Sequence, residues 1–223
     1  MNPVLQVEHL SISFTQYDRG TRRRRLPVIR DLSFSVQPGQ VVAVVGASGS
    51  GKSLLAHGIL GILPYNSAME GTILYQGEPL TRKRLEALRG REIALIPQGV
   101  TYLDPRMEVG AQLRKGRSDL SAREKSRNVL ARYGLGPEVE RLYPLELSGG
   151  MARRVLIATA VMEQPGLILA DEPTPGLDAR AAGRILGHIR ERAEEGTGVL
   201  FITHDLELAL TIAHRVLVLY AGE

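Results

Sequence analysis

The residues with the clearest capacity for chemistry are Gly46-Ala47-Ser48-Gly49-Ser50-Gly51-Lys52-Ser53. They satisfy the pattern GxxxxGK[ST], a loop that grips the phosphates of ATP or GTP with backbone N–H groups rather than side chains. Glycines let such a loop bend and bring its backbone close to phosphate oxygens with no Cβ in the way. A helix beginning near Gly51 aims its positive end at the same anion. Lys52 then reaches the β and γ phosphates, and the Ser53 hydroxyl is placed to ligate Mg²⁺. The bare pattern also arises by chance. Here the buried, β-branched run at residues 41–45 precedes it and helix-forming Leu54-Leu55-Ala56 follows, which is the required strand–loop–helix order.

A second constellation is Leu167-Ile168-Leu169-Ala170-Asp171-Glu172, an apolar strand ending in two carboxylates. Taken alone, such a pair is often a solvated turn or a helix start. Downstream of a phosphate loop, the first acid helps hold Mg²⁺, and its neighbour can polarise an attacking water as general base. A third is Leu147-Ser148-Gly149-Gly150-Met151 ahead of a helix. Ser148 sits at a capping position, and Gly-Gly at a helix start also frees N–H groups to face an anion.

These residues must be positioned by a scaffold, and the chain's pattern supplies one. Residues 4–14 read as strand. Leu32, Phe34 and Val36 alternate with polar neighbours as a half-buried strand closed by Pro38-Gly39, and the basic stretch 15–25 between the two reads as a loop. After the phosphate loop a helix runs to about Ile62. Residues 71–75 with a turn at Gln76-Gly77 suggest a short hairpin, and residues 92–97 a buried strand ending at Gln98. From Pro105 to about Tyr143 the chain turns charged and helical. Ser121 with Glu124 predicts a capping box, and Ala122, Val129, Leu130 and Tyr133 form a stripe stopped by Gly134. A helix after Ser148 and strand 167–170 follow. A helix near 179–195 then leads to strand 199–203. The last pieces are a helix presenting Leu206, Ala209, Leu210 and Ala213 on one face, and strand 216–220. Strands alternating with helices predict a mainly parallel sheet with right-handed crossovers.

With the motifs in this order the chain resembles the ATP-binding-cassette (ABC) ATPases over essentially its whole length, because Leu147-Ser148-Gly149-Gly150 matches their LSGGQ signature. The resemblance implies an α/β P-loop NTPase (RecA-like) core with a mainly parallel sheet, an N-terminal antiparallel β-subdomain and an inserted α-helical subdomain. The chain would be one ATPase domain, with 1–98 and 147–223 as core and 99–146 as the insertion. Gln98 looks like the Q-loop glutamine that meets Mg²⁺ and the attacking water. Pro175-Gly176-Leu177-Asp178 looks like the D-loop, and His204 like the switch histidine that contacts the γ-phosphate. Phe14 stands in the place of the aromatic that stacks on adenine, with Tyr17 close by. Met151 replaces the usual glutamine and cannot make its amide hydrogen bonds.

Glu146 to Met151, Ile202 to Leu206, Tyr220-Ala221-Gly222 and Gly61-Ile62-Leu63-Pro64 resemble the ATPase subunits of peptide, dipeptide and nickel importers. Members of that subclass carry a further C-terminal segment. The chain ends at Glu223, as a truncated form or a short member would. The resemblance implies ATP and Mg²⁺ as cofactors and a second ATPase subunit, identical or paralogous, facing this one head to tail. It also implies transmembrane permease subunits, an extracytoplasmic binding protein, and a peripheral position at the cytoplasmic face of the membrane. Residues 99–113 are then the candidate contact with the membrane subunit.

Composition bounds the alternatives. Cysteine is absent, which excludes disulfides, thiolate metal sites and the iron–sulfur cysteines of some relatives. The N-terminus lacks the build of a signal peptide, and no run of about 18 apolar residues offers a membrane span. The net charge of +4 owes part of its excess to Arg22-Arg23-Arg24-Arg25, which reads as a solvated loop or as a patch meeting an acidic surface. That basic balance is the support for a rival reading, a cassette acting on nucleic acid or ribosomes. Against it stand the lack of a coiled-coil insertion, of a second cassette and of an RNA-binding aromatic cluster. A regulatory ATP-binding module without turnover is a third reading, opposed by Glu172 and His204.

Overall fold

Residues 167–170 divide their side chains between two cores: Leu167 and Leu169 join one, Ile168 and Ala170 the other. Val199 and Phe201 alternate with Leu200 and Ile202 in the same way. Strand side chains alternate across a sheet, so a sheet covered on both faces must be apolar at every position. Each buried side chain of this size contributes about 1.5–3 kcal/mol.

The computed structural model describes residues 2–17 and 23–223. Strands β1 (Leu5–Tyr17), β2 (Arg23–Val36) and β3 (Val41–Val45) come first. Helix α1 (Lys52–Leu60), β4 (Ser67–Tyr75), β5 (Glu78–Pro79) and α2 (Arg82–Leu88) follow. β6 (Ile93–Ile96) leads into α3 (Val109–Leu113) and α4 (Leu120–Arg132), with short 3-10 segments around them. Then come α5 (Gly149–Val161), β7 (Leu167–Asp171), α6 (Ala179–Glu194), β8 (Gly198–Thr203), α7 (Leu206–Ile212) and β9 (Arg215–Val218).

The parallel sheet has the order β6-β7-β8-β3-β9, and the antiparallel sheet the order β2-β1-β4-β5. One core lies between the two sheets and takes in α1 through Leu55 and Ile59. The other lies beneath the helices, where Leu113, Leu130 and Tyr133 meet Val155, Ile157 and Ile185. This is the mixed α/β arrangement of a P-loop NTPase, with an N-terminal antiparallel sheet.

Several expectations need correction. The loop expected over 15–25 is strand on both sides: Thr15 pairs with Arg25 and Tyr17 with Arg23. Polar residues extend this ribbon because its face is open to water, where the Arg23 guanidinium lies 5.7 Å from the Tyr17 ring centre and Arg25 bonds Glu70 at 2.5 Å. Residues 18–22, including Arg22 of the basic run, lie outside the described residues. The expected short hairpin is mostly a long β4 paired with β1, with only Glu78 and Pro79 returning.

Helix α4 is capped by Asp119, not Ser121: the Asp119 carboxylate accepts from Ala122 N–H at 2.9 Å. This bond holds the Asp119 carboxyl below the usual carboxylate range. Helix α7 buries Ala209 and Ile212, while Leu206 and Leu210 face outward. Helix α2, not anticipated, is started by the Thr81 hydroxyl, which accepts from Arg84 N–H. Among the described residues, no helix is long and apolar enough to cross a membrane.

Candidate active site

The register of the parallel sheet brings four chain segments to one edge. Val45 pairs with Thr203, Asp171 with Ile202, and Ile96 with Ala170. Gly46, His204, Glu172 and Gln98 therefore all lie just past the carboxyl ends of adjacent strands, where open α/β sheets form their crevice. An open cleft of ≈ 450 Å³ results, lined by the loop and α1 residues Ser48, Gly49, Gly51, Lys52 and Ser53 and by Gln98, Asp171, Glu172 and His204.

The loop between β3 and α1 is built as its glycines require. Gly49 and Gly51 have φ of 80° and 98°, a region that favours glycine. A Cβ at Gly46 would meet the Leu219 carbonyl oxygen at 2.3 Å. Helix α1 starts without any side-chain cap, so its first N–H groups remain for a ligand. Lys52 is buried and curls back, its Nζ donating to the carbonyls of Gly46 at 2.8 Å and Ala47 at 2.9 Å. The Ser50 hydroxyl oxygen is buried without a partner. Such a cradle fits a polyphosphate: on this side of the cleft, main-chain N–H donors, the Lys52 ammonium and a positive helix end converge.

The acidic side of the cleft fits a hard divalent cation. Asp171 is 3% exposed, and its Oδ1 has no hydrogen-bond partner. Burial pushes its carboxyl above the usual range; the Ser53 hydroxyl works against this, the neighbouring Glu172 adds to it, and Lys52 opposes it more weakly. An unpartnered buried carboxylate oxygen beside a serine hydroxyl is the kind of oxygen set that Mg²⁺ shares with water and phosphate.

Glu172 is held from two sides. Its Oε1 accepts from His204 N–H at 2.9 Å and contacts His204 Nδ1 at 2.7 Å, while Thr203 Oγ1 lies 3.4 Å from Oε2. Its backbone is left-handed, with φ of 47°. A carboxylate tied to an imidazole at the mouth of a phosphate cleft can accept a proton from water.

Other sequence candidates lie elsewhere. Phe14 is half-buried against the inter-sheet core, and neither it nor the exposed Tyr17 lines the cleft. Ser148, Gly149 and Gly150 start α5 on an exposed surface, with Ser148 Oγ accepting from Met151 N–H at 3.3 Å. Asp178 caps α6 through Ala181 N–H at 2.8 Å, which lowers its carboxyl pKa. Sequence reasoning missed Arg153. It shares the buried face of α5 with Ala152, Leu156 and Ile157 and is only 4% exposed. A basic residue inside that helix's apolar stripe was the available signal.

Comparison with known proteins agrees with this geometry. The sequence pattern of the family described as ABC transporter matches residues 29–175. The chain is 38% identical over its full length to the dipeptide transport ATP-binding protein DppD of Bacillus subtilis, covering 70% of that protein. It is 36% identical over its full length to the oligopeptide transport ATP-binding protein OppD of Haemophilus influenzae, covering 71% of it. Among solved structures, "Structure of ATP binding subunit of ABC transporter" superposes with a TM-score of 0.81 at 28% identity, covering 98% of this chain and 87% of that one. With a phosphate cradle, a cation-ready acid and a carboxylate–imidazole pair on one sheet edge, and with these relatives, the chain belongs to the ABC transporter family as an ATPase that works with ATP and Mg²⁺.

Proposed function

We propose that the chain drives import of peptides, as one of two ATPase subunits beneath transmembrane permease subunits. The observation that carries the cargo class is the 38% identity, across the whole chain, to a dipeptide transport ATP-binding protein. Nickel or metal-chelate cargo is the alternative that the motifs alone leave open. The same relatives weigh against a nucleic-acid or ribosomal role.

In this reading Lys52 and the amides of residues 46–53 hold the β and γ phosphates, with Ser48, Gly49, Ser50 and Gly51 shaping the loop. Ser53, Asp171 and Gln98 would hold Mg²⁺, which neutralises phosphate charge when bound. Glu172 takes the proton of the attacking water as general base, and His204 reports the γ-phosphate to it. Phe14, or Tyr17 beside it, offers a face to adenine. Ser148, Gly149, Gly150 and Asp178 serve the nucleotide of the facing subunit, and their position outside the cleft, with Ser148, Gly149 and Asp178 exposed, supports this.

The chain then works as a single domain, with 1–98 and 147–223 as its core and 99–146 as an inserted helical part. An apolar groove of ≈ 300 Å³, with Leu60, Ile62, Ile93, Leu95, Tyr102 and Leu156 along it, adjoins residues 99–113. That groove supports a permease contact there and a peripheral place at the cytoplasmic face. An extracytoplasmic protein would deliver the peptide to the permease.

The test is uptake of labelled di- and oligopeptides in cells whose only copy is Glu172→Gln. Uptake falling to background supports the reading. Loss of ATP turnover with peptide uptake intact would remove peptides as the cargo.

A further inference from the structure

Arg153 is more deeply buried than Lys52, and the hydrogen bonds of its guanidinium go to main-chain carbonyls. Its Nε donates to the Pro173 carbonyl at 3.1 Å and its Nη1 to the Pro97 carbonyl at 2.7 Å. Nη1 also reaches the Gln98 carbonyl, and Nη2 the Glu172 carbonyl. Four of the five guanidinium hydrogens can thus be engaged by main chain from two strand ends, β6 and β7. Burial lowers the pKa of this guanidinium, while the nearby Asp171 and Glu172 carboxylates work to keep it charged.

The carbonyls it holds are those of Gln98 and Glu172 and of one neighbour of each. Glu172 has a left-handed backbone with φ of 47°. Such a conformation costs on the order of 1–2 kcal/mol in a residue with a Cβ and persists only where the surroundings hold it. Arg153 fastens the carbonyl of that residue, while its N–H donates to Ile202 O at 2.9 Å.

We propose that Arg153 is a positioning residue for hydrolysis: one guanidinium clamps the main chain at residues 97–98 and 172–173 and so fixes the separation of the Gln98 and Glu172 side chains. This rests on the roles given above to Glu172 and Gln98. Helix α5 carries the clamp one turn after Ser148-Gly149-Gly150, so the exposed helix start and the reacting edge of the sheet share one rigid element. Lysine cannot replace it, because an ammonium is a point charge without the planar fork that spans several carbonyls.

The experiment compares wild type, Arg153→Lys, Arg153→Gln and Glu172→Gln for melting temperature, affinity for a fluorescent ATP analogue and steady-state turnover. The clamp predicts cooperative melting, nucleotide affinity within about 3-fold of wild type, and a kcat lowered by about 10-fold or more, the signature of lost positioning rather than lost binding. In a Gln98→Ala background, Arg153→Lys should lower kcat by a smaller factor than it does alone. Unchanged turnover in both arginine variants, while Glu172→Gln is inactive, would overturn the proposal alone. Affinity and melting temperature falling in step with kcat, or no cooperative melt in either variant, would make Arg153 a fold residue and overturn it too. Full turnover in Glu172→Gln would instead remove the reading of Glu172 beneath it.

Discussion

The chain has two glycine-bearing helix starts suited to an anion, and they are finished differently. Helix α1 begins at Gly51 without a side-chain cap, inside a cleft with Lys52, Asp171 and Glu172 around it. Helix α5 begins at Ser148, whose hydroxyl caps it, on an exposed surface next to Leu145, which is 86% exposed. The first has its chemistry around it. The second satisfies part of its own backbone, and Arg154 Nε donates to the Gly150 carbonyl beside it at 3.2 Å. A chain built this way can bind a nucleotide at α1 by itself. In the proposed reading, the N–H groups of α5 serve a nucleotide held by another subunit.

The sharpest way to break that contrast is Ser148→Arg. The substitution replaces the cap with a bulky cation on a surface that makes no contact with the cleft. Hydrolysis should fall by about 10²–10³-fold, the scale for losing preorganised donors at a transition state. Binding of the ATP analogue to the isolated chain should stay within about 3-fold, since the α1 cradle is intact. Parallel loss of both would mean that the two helix starts act within one chain.

Lys52→Ala probes the other start. The Lys52 ammonium is buried and spends its donors on the Gly46 and Ala47 carbonyls when no phosphate is near. Its exchange of those partners for phosphate oxygens is a charge-assisted interaction of about 1.5–3 kcal/mol, so nucleotide affinity should fall by roughly 10–100-fold. Isothermal titration of the isolated chain reads it directly. Unaltered affinity would make the loop a structural turn and leave the contrast without its first member.

Much of the strand frame is legible in the sequence. The continuous apolar run at residues 41–45 reads as a strand buried on both faces and 167–170 as a strand, and the motifs directly after them then fall at strand ends. What could not be read was set by contacts distant in sequence. Arg23 and Arg25 look like loop residues until Tyr17, Ser13 and Glu70 stand opposite them. Asp119 outcompetes Ser121 as a cap because the helix starts one residue after the aspartate, a boundary that local pattern fixes poorly. Leu206 and Leu210 looked like a core face, yet the short α7 turns Ala209 and Ile212 inward to suit the closely packed β3. Arg153 stands out in the sequence only as a basic residue in the apolar stripe of α5, because its partners are carbonyls, which carry no sequence signal.

The smallest effect expected concerns the acid beside α1. Burial raises the Asp171 carboxyl pKa in the folded chain above its unfolded value. Such a shift favours the fold while the group is protonated, below the ordinary carboxylate range, and that advantage is lost as pH rises through the folded value. Near neutral pH the nucleotide-free chain therefore carries the burden of a buried, ionised carboxylate whose Oδ1 has no partner. Asp171→Asn keeps the shape and removes the charge. In thermal melts without nucleotide it should be more stable than wild type at neutral pH, with the difference shrinking as pH falls below the carboxylate range. With Mg²⁺ and ATP the order should reverse, because a ligand stabilises only in proportion to its affinity for the folded state, and the amide has lost the charge that Mg²⁺ needs. A lower apo melting temperature in Asp171→Asn at neutral pH, or an undiminished gain on adding Mg²⁺ and ATP, would show that this carboxylate serves the fold rather than the cation, and that the α1 end is less of a waiting site than its geometry suggests.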